Sequence, residues 1–195
     1  MASDIEKIKQ LREETGAGMM DVKKALDESG GDVEEARRVL RERGQAAASK
    51  KSSRQAGEGV IESYIHFNSR VGVLVEVNCE TDFVARTPEF KEFARSIALH
   101  VASMDPVTVS VDDIPEDVLE EERQIAEKQA EELGKPENVT RQIVEGRMKK
   151  RTSEMALLTQ DYVKEPEKTV EDMLNETVQK VGENVVIRRF VRYAL

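Results

Sequence analysis

The sequence predicts an α+β fold: a three-helix module (1–45), a tether (46–59) and a core (60–195) whose helices pack on an antiparallel sheet. Three patterns predict it. Apolar residues recur three and four apart through the first 45 residues and again in the middle of the chain, the spacing of one helix face. In 60–67, 71–79 and 185–195 they alternate with polar residues, the period of a strand buried on one side. Between module and core, AAASKKSSRQAGEG (46–59) is small, polar and basic, the composition of a flexible linker.

A first helix carries Ile5, Ile8 and Leu11 on one face, with Ser3 and Glu6 as its capping box, until Gly16 and Gly18 break it. A second runs from about Asp21 to Ser29 and stops at Gly30-Gly31. Asp32, with Glu35 three residues on, caps a third, whose Val33, Ala36, Val39 and Leu40 face inward before Gly44 ends it. So few residues make a small core, and the module is simple and suited to docking. Strands 60–67 and 71–79 join through Asn68-Ser69 as a hairpin. In the first, Ile61, Ile65 and Phe67 alternate with Glu62, Tyr64 and His66, so one face is buried.

Thr87-Pro88 starts a helix, with Pro at its first position. Its Phe90, Phe93, Ala94, Ile97, Ala98 and Val101 pack on the sheet, and His100 lies at the border of that stripe. Val107, Val109 and Val111 alternate briefly before Pro115 opens a long acidic helix, with Val118, Leu119, Ile125, Ala126 and Leu133 on one stripe. Gly134 and Pro136 end it, and a helix carrying Val139, Ile143 and Val144 folds back antiparallel. Residues 115–152 therefore form a projecting hairpin of coiled-coil character, whose basic run from Arg147 to Arg151 pairs with Glu120, Glu121 and Glu122. Thr169 caps a last helix through Val181, Gly182 stops it, and 185–195 closes the sheet.

Charge and composition exclude several classes. A net charge of −9 opposes general nucleic-acid binding, which needs a basic field to displace counterions. Three short helices also suit a DNA reader, but residues 1–44 hold nine Lys/Arg against eleven Asp/Glu and show no basic recognition face. One cysteine, Cys79, allows no internal disulfide and fits a reducing compartment. The N-terminus has no charged-then-apolar leader, and no apolar run approaches the ~18 residues of a membrane span. A soluble, cytoplasmic protein without membrane contact is expected.

Catalytic chemistry is equally thin. Cys79, His66 and His100 are the only thiol and imidazoles, and Cys79, at a strand end, reads as a small buried hydrophobe. Neither Cys-x-x-Cys nor His-Glu-x-x-His spacing occurs, and Gly16-Ala17-Gly18 lacks both the preceding strand and the Gly-Lys-Ser/Thr of a phosphate loop. No cofactor, metal or directly bound nucleotide is expected; the chain acts by contact. Two stretches offer contacts. Phe83 sits on the short connector between a strand and a helix, either tucked under the sheet or offered to a partner. Met19 and Met20 are either helix core or, in an exposed Gly-Met loop, thioethers that adapt to a partner's apolar surface.

Those two stretches carry a resemblance. NCETDFVAR (78–86) and TGAGMMDVKKAL (15–26), with GKPENV…VEGRMKK (134–150) and EPEKTV (165–170), resemble the bacterial elongation factor Ts family almost end to end. The resemblance implies a guanine-nucleotide exchange factor, not an enzyme, whose partner is the GTPase elongation factor Tu. It implies that Phe83 enters an apolar pocket of that partner, disturbs its magnesium site and loosens GDP. Asp82 would fix the loop, flanked by Thr81 and Val84. Met19, Met20 and His100 are implied as further contacts, the histidine matching one that approaches the partner's nucleotide-binding loop. The N-terminal module is implied to be a ubiquitin-associated-like bundle. Longer members carry two copies of the core, whereas 60–195 has room for one; a homodimer packing two sheets about a two-fold axis would supply the other. Two other readings stay open: a helical adaptor without effect on nucleotide, and an RNA-binding module using the linker and the Arg147-to-Arg151 cluster.

Overall fold

Valines set the phase of the sheet. In the computed structural model, which describes residues 4–195, strand β2 (Val71–Cys79) turns Val73, Val75, Val77 and Cys79 to one side and buries all four. β1 (Glu58–Ile65) and β5 (Val185–Ala194) flank it, both antiparallel, in the order β1-β2-β5. Residues directly opposed across antiparallel strands share a face. The pairs Val60↔Val77, Glu62↔Val75 and Tyr64↔Val73 therefore turn Val60, Glu62 and Tyr64 toward the core. Ile61 and Ile65 fall on the outer face, 71% and 65% exposed, and Phe67, in the turn beyond, is exposed with its ring centroid 4.4 Å from that of His66. One face of β1 is covered, and it is the face that carries a glutamate. An edge strand takes its orientation from the central strand, whatever its own alternation favours. At Gly59 (φ +154) the backbones come so close that a Cβ would strike the Val77 carbonyl. A register slip between Glu76 and Val77 skips Arg188, which keeps Val185, Ile187 and Phe190 on the core side of β5.

Helix α5 (Pro88–Met104) covers the inner face with Phe90, Phe93, Ala94, Ile97, Ala98 and Val101, its start fixed by Thr87, whose hydroxyl oxygen accepts from the Phe90 amide. The last helix, α8 (Val170–Val181), begins in a Thr169–Asp172 capping box and ends at Gly182, whose φ of +79 suits glycine. Between them lies a small hairpin, β3 (Asp161–Tyr162) and β4 (Glu165–Thr169), unannounced by any periodicity.

The module is built from α1 (Asp4–Thr15), α2 (Met19–Glu28) and α3 (Val33–Lys51) around Leu11, Val22, Ala25, Leu26, Ala36 and Leu40. The expected Ser3–Glu6 capping box lies outside the described residues, as Ser3 does. Asp32 caps α3 as expected, accepting from the Glu35 amide at 3.0 Å. Gly44, however, does not end that helix. It is buried within it, where a Cβ would stand 3.2 Å from the Gln179 side chain of α8. Tertiary packing overrides the local helix-breaking preference. Arg41 pairs with Asp172 of α8, Ala48 packs on the main core, and Lys51 donates to the Val178 carbonyl at 3.3 Å. The first part of the expected tether is thus a helical strut joining module to core. Only residues 52–57 lack regular structure, and the Asn184 amide donates to the Arg54 carbonyl there at 2.8 Å.

Helices α6 (Glu116–Glu131) and α7 (Glu137–Met155) form the hairpin. Their seam is Ala126, Ala130 and Val144, while Ile125 and Leu133 of the expected stripe are largely exposed. Arg151 donates to Glu122 at 2.9 Å and Arg147 to Gln129 at 2.6 Å, which sets the antiparallel register. Of the three glutamates expected to meet the basic run, Glu122 does so, and Arg151 and Lys150 also reach Glu154 on their own helix.

Candidate functional site

The stretch after β2 is a single helical turn, α4 (Asp82–Ala85), capped by Thr81, whose hydroxyl oxygen accepts from the Val84 amide at 3.4 Å. Cys79 and Ala85 are sealed beneath the turn; the Phe83 side chain projects from it, 78% exposed. What holds the turn comes from the far end of the chain. The Glu183 carboxylate, just after α8, accepts from the Glu80 amide (3.1 Å), the Thr81 amide (3.0 Å) and the Thr81 hydroxyl (2.7 Å). Glu80 returns the contact, accepting from the Asn184 amide at 2.6 Å. Each turn thus caps the other with a carboxylate, and the exposed ring stands on a doubly tied base. Asp82 pairs with Arg86 at 2.7 Å on the outside of the turn.

The Cys79 thiol donates to the Thr81 carbonyl at 3.2 Å. Burial, and then the nearby Glu183 charge, push its pKa up to about 11. At neutral pH it stays a thiol and fills space beneath the turn, the environment opposite to that of a reactive cysteine.

Met19 and Met20 begin α2, preceded by Gly18 in an extended conformation with no side-chain cap, and both are exposed. The loop before them rests on α8: at Gly16 (φ +67) a Cβ would collide with the Lys180 methylenes. A cleft of about 500 Å³ runs between Arg12 and Gly16 on one side and Val84, Thr87, Glu89 and Lys180 on the other. Gly16, three residues before Met19, and Val84, next to Phe83, thus line one cleft, although they lie more than sixty residues apart in the sequence.

The sequence matches those of known proteins along its whole length. The family model described as Elongation factor TS matches residues 1–195. A protein of Rubrobacter xylanophilus named elongation factor Ts is 72% identical over 195 residues, 100% of both chains. One of Thermoanaerobacter sp. with that name is 58% identical over 186 residues, 95% of this chain and 91% of its own. A third, from Desulfosudis oleivorans, is 52% identical over 188 residues, 96% and 95% of the two chains. The chain belongs to the elongation factor Ts family. It is a translation elongation factor, a protein of protein biosynthesis.

One residue that the family resemblance brought forward does not stand where expected. His100 is 0% exposed, not at the border of its stripe. The β3–β4 turn covers it: the Val163 amide donates to its Nδ1 at 3.2 Å, leaving the proton on Nε2, which donates to Gln160 Oε1 at 2.9 Å. Gln160 in turn donates to the Glu154 carbonyl at 2.6 Å. Burial pulls the His100 pKa down against the opposing Gln160 bond, so the ring is neutral. In this elongation factor Ts sequence it pins a hairpin to α5 and has no open face for a partner.

Glu80, Glu183 and Asn184 were not among the expected site residues. The one signal for the latter two was a Glu-Asn pair between a helix-ending glycine and a buried strand, where carboxylates and amides commonly serve turns. Among the described residues, no group of three or more His, Cys, Asp or Glu is arranged to hold a metal ion, and no helix is long and apolar enough to cross a membrane.

Proposed function

We propose that this chain is a cytoplasmic guanine-nucleotide exchange factor that acts on elongation factor Tu by contact, making and breaking no bond and holding no nucleotide itself. The observation that carries the reading is the exposed Phe83 ring on a turn whose N-terminal side is tied down by Glu183 and Asn184. A protein that binds the nucleotide-free or strained form of a GTPase better than the GDP form speeds GDP release, and the coupling is reciprocal. Magnesium is the vulnerable element, since its near-octahedral shell tolerates little displacement. Phe83 enters an apolar pocket beside that shell, with Asp82 and Val84 at its flanks and Thr81 holding the turn. Burying one Phe is worth about 1.5–3 kcal/mol, and each tenfold in rate needs about 1.36 kcal/mol. The wedge therefore supplies about ten- to a hundredfold, and Met19 and Met20, exposed at the start of α2, are the further anchor. Stopped-flow release of a fluorescent GDP from elongation factor Tu tests this. Phe83→Ala is expected to slow maximal release; an unchanged rate removes Phe83 from the mechanism. Binding that ignores GDP concentration would favour a helical adaptor instead.

The outer sheet face supports a homodimer as the acting form. Ile61 and Ile65 of β1, Leu74 of β2 and Val191 and Tyr193 of β5 stand there exposed, around one Glu76–Arg189 pair at 2.7 Å. Such a face is apolar and locally neutral, and pairing it with itself about a two-fold axis leaves no unbalanced charge. Light scattering is expected to give a dimer and Leu74→Glu a monomer; a wild-type monomer at working concentration refutes this part of the reading.

A further inference from the structure

We propose that Glu183 is a positioning residue for exchange: its carboxylate fixes the backbone that aims Phe83, and so sets how much of the ring's binding energy reaches the partner's metal site. The inference rests on the exchange reading and adds a residue from the other end of the chain to it.

Three donors converge on this one side chain: two consecutive amides, of Glu80 and Thr81, and the Thr81 hydroxyl. Those amides point away from the sheet at the place where β2 stops pairing and α4 has not begun, so the strand ladder cannot satisfy them. A carboxylate has lone pairs enough for all three donors, and an ionised acceptor makes the stronger bonds. The Thr81 hydroxyl donates to Glu183 while its oxygen accepts from Val84, so one chain of bonds runs from Glu183 through Thr81 across the residue that carries the ring.

A wedge does work on its partner only to the extent that its own base does not give. If the turn could relax, burial of the ring would be spent reordering residues 80–84 rather than moving the partner's ligands; displacements of about 1 Å at such positions cost up to about a hundredfold. Gln at 183 is a poor substitute. It keeps one oxygen for the two amides, now a neutral and weaker acceptor, and sets its NH₂ against the Thr81 hydroxyl that had donated to the second oxygen.

The test is a double-mutant cycle on the full-length protein. Maximal GDP release rate and half-saturating concentration are measured for wild type, Phe83→Ala, Glu183→Ala and the double variant, with elongation factor Tu carrying fluorescent GDP. Glu183→Ala is expected to lower the maximal rate about three- to tenfold, with little change in half-saturation. In the Phe83→Ala background it is expected to do nothing more. Equal slowing in both backgrounds, or an unchanged maximal rate, overturns the proposal. If Phe83→Ala is silent, the proposal fails whatever Glu183→Ala does, because the ring is then outside the mechanism; if wild type itself does not speed GDP release, the exchange reading fails with it. Glu183→Gln carries the same cycle should the alanine variant not fold. It is also expected to speed amide hydrogen exchange at Glu80 and Thr81, and protection equal to wild type would count against the proposal.

Discussion

Two exposed apolar sites, each at the start of a helix, are built in opposite ways. The Phe83 turn has a side-chain cap in Thr81 and a carboxylate clamp in Glu183, which lies 102 residues away from Thr81. The Met19-Met20 pair follows Gly18, which caps with no side chain; its loop is held by Ala17, buried in the module core with its amide on the Thr15 hydroxyl at 3.3 Å, and by Gly16 against Lys180. The first is a stiff ring with two side-chain torsions on a tied base. The second is a pair of flexible thioethers on a base that no carboxylate clamps. On the exchange reading proposed above, the two exposed sites serve two tasks: a wedge must not yield, whereas an anchor gains by adapting.

The sharpest way to break that comparison is to measure rate and affinity separately. Phe83→Ala is expected to lower maximal GDP release by about ten- to a hundredfold, the range one buried Phe supplies. Because the ring is already exposed in the free protein, the variant's thermal stability is expected to match wild type within about 0.5 kcal/mol. Met19→Ala with Met20→Ala is expected to raise the half-saturating concentration about tenfold or more, leaving the maximal rate within about twofold. Methionines that controlled the maximal rate would erase the distinction between wedge and anchor.

Next in size is the strut between the two sites. Arg41 is half exposed, but Asp172 is buried and keeps only its Thr169 donors and a long contact from Gln45 when the guanidinium goes. Arg41→Ala is expected to cost about 1–3 kcal/mol of unfolding free energy. It is also expected to raise half-saturation without lowering the maximal rate, since Glu183 and not α3 holds the Phe83 turn. The same pair has a pH signature. Burial works to raise the Asp172 pKa, but the Thr169 amide and hydroxyl and the Arg41 guanidinium outweigh it and hold the pKa below its ordinary value. The stability it gives is therefore present above the ordinary aspartate range and lost as pH falls through the lowered folded value. Acid melts are expected to show a flatter pH slope in Arg41→Ala than in wild type; identical slopes would detach Asp172 from the strut.

These differences trace what could be read before the fold was known. The Phe83 turn is legible because its signals are local: alternating valines, a break, then Thr87-Pro88. Its clamp is not, because Glu183 belongs to no periodic run and meets Thr81 only when β5 pairs beside β2. The outward face of β1 is hidden for a similar reason, since the strand's own alternation says nothing of which neighbour sets its phase. Helix α3 outruns Gly44 because α8 supports it from outside, a contact that no propensity records. His100 looked like a border residue because its cover, Asp161–Tyr162 and Glu165–Thr169, is too short and too polar to announce a hairpin.

The smallest expected effect sharpens the comparison by standing apart from both sites. His100 is held neutral, its folded pKa pulled down by burial, so the unfolded chain takes up a proton at higher pH than the native one. Stability is then fully present above the ordinary histidine value and falls as pH drops from there toward the folded value. Protonating the ring would put a proton on Nδ1, where the Val163 amide already points a hydrogen. Melts from about pH 7.5 to about pH 5.5 are expected to lose more stability in wild type than in His100→Gln. At neutral pH, His100→Gln is expected to keep the wild-type maximal release rate, because its bonds reach the β3–β4 turn and α7 but neither Phe83 nor the methionines. A large loss of exchange with unchanged stability would instead place this ring at the partner's surface, and the β3–β4 turn would then have to open for it to get there.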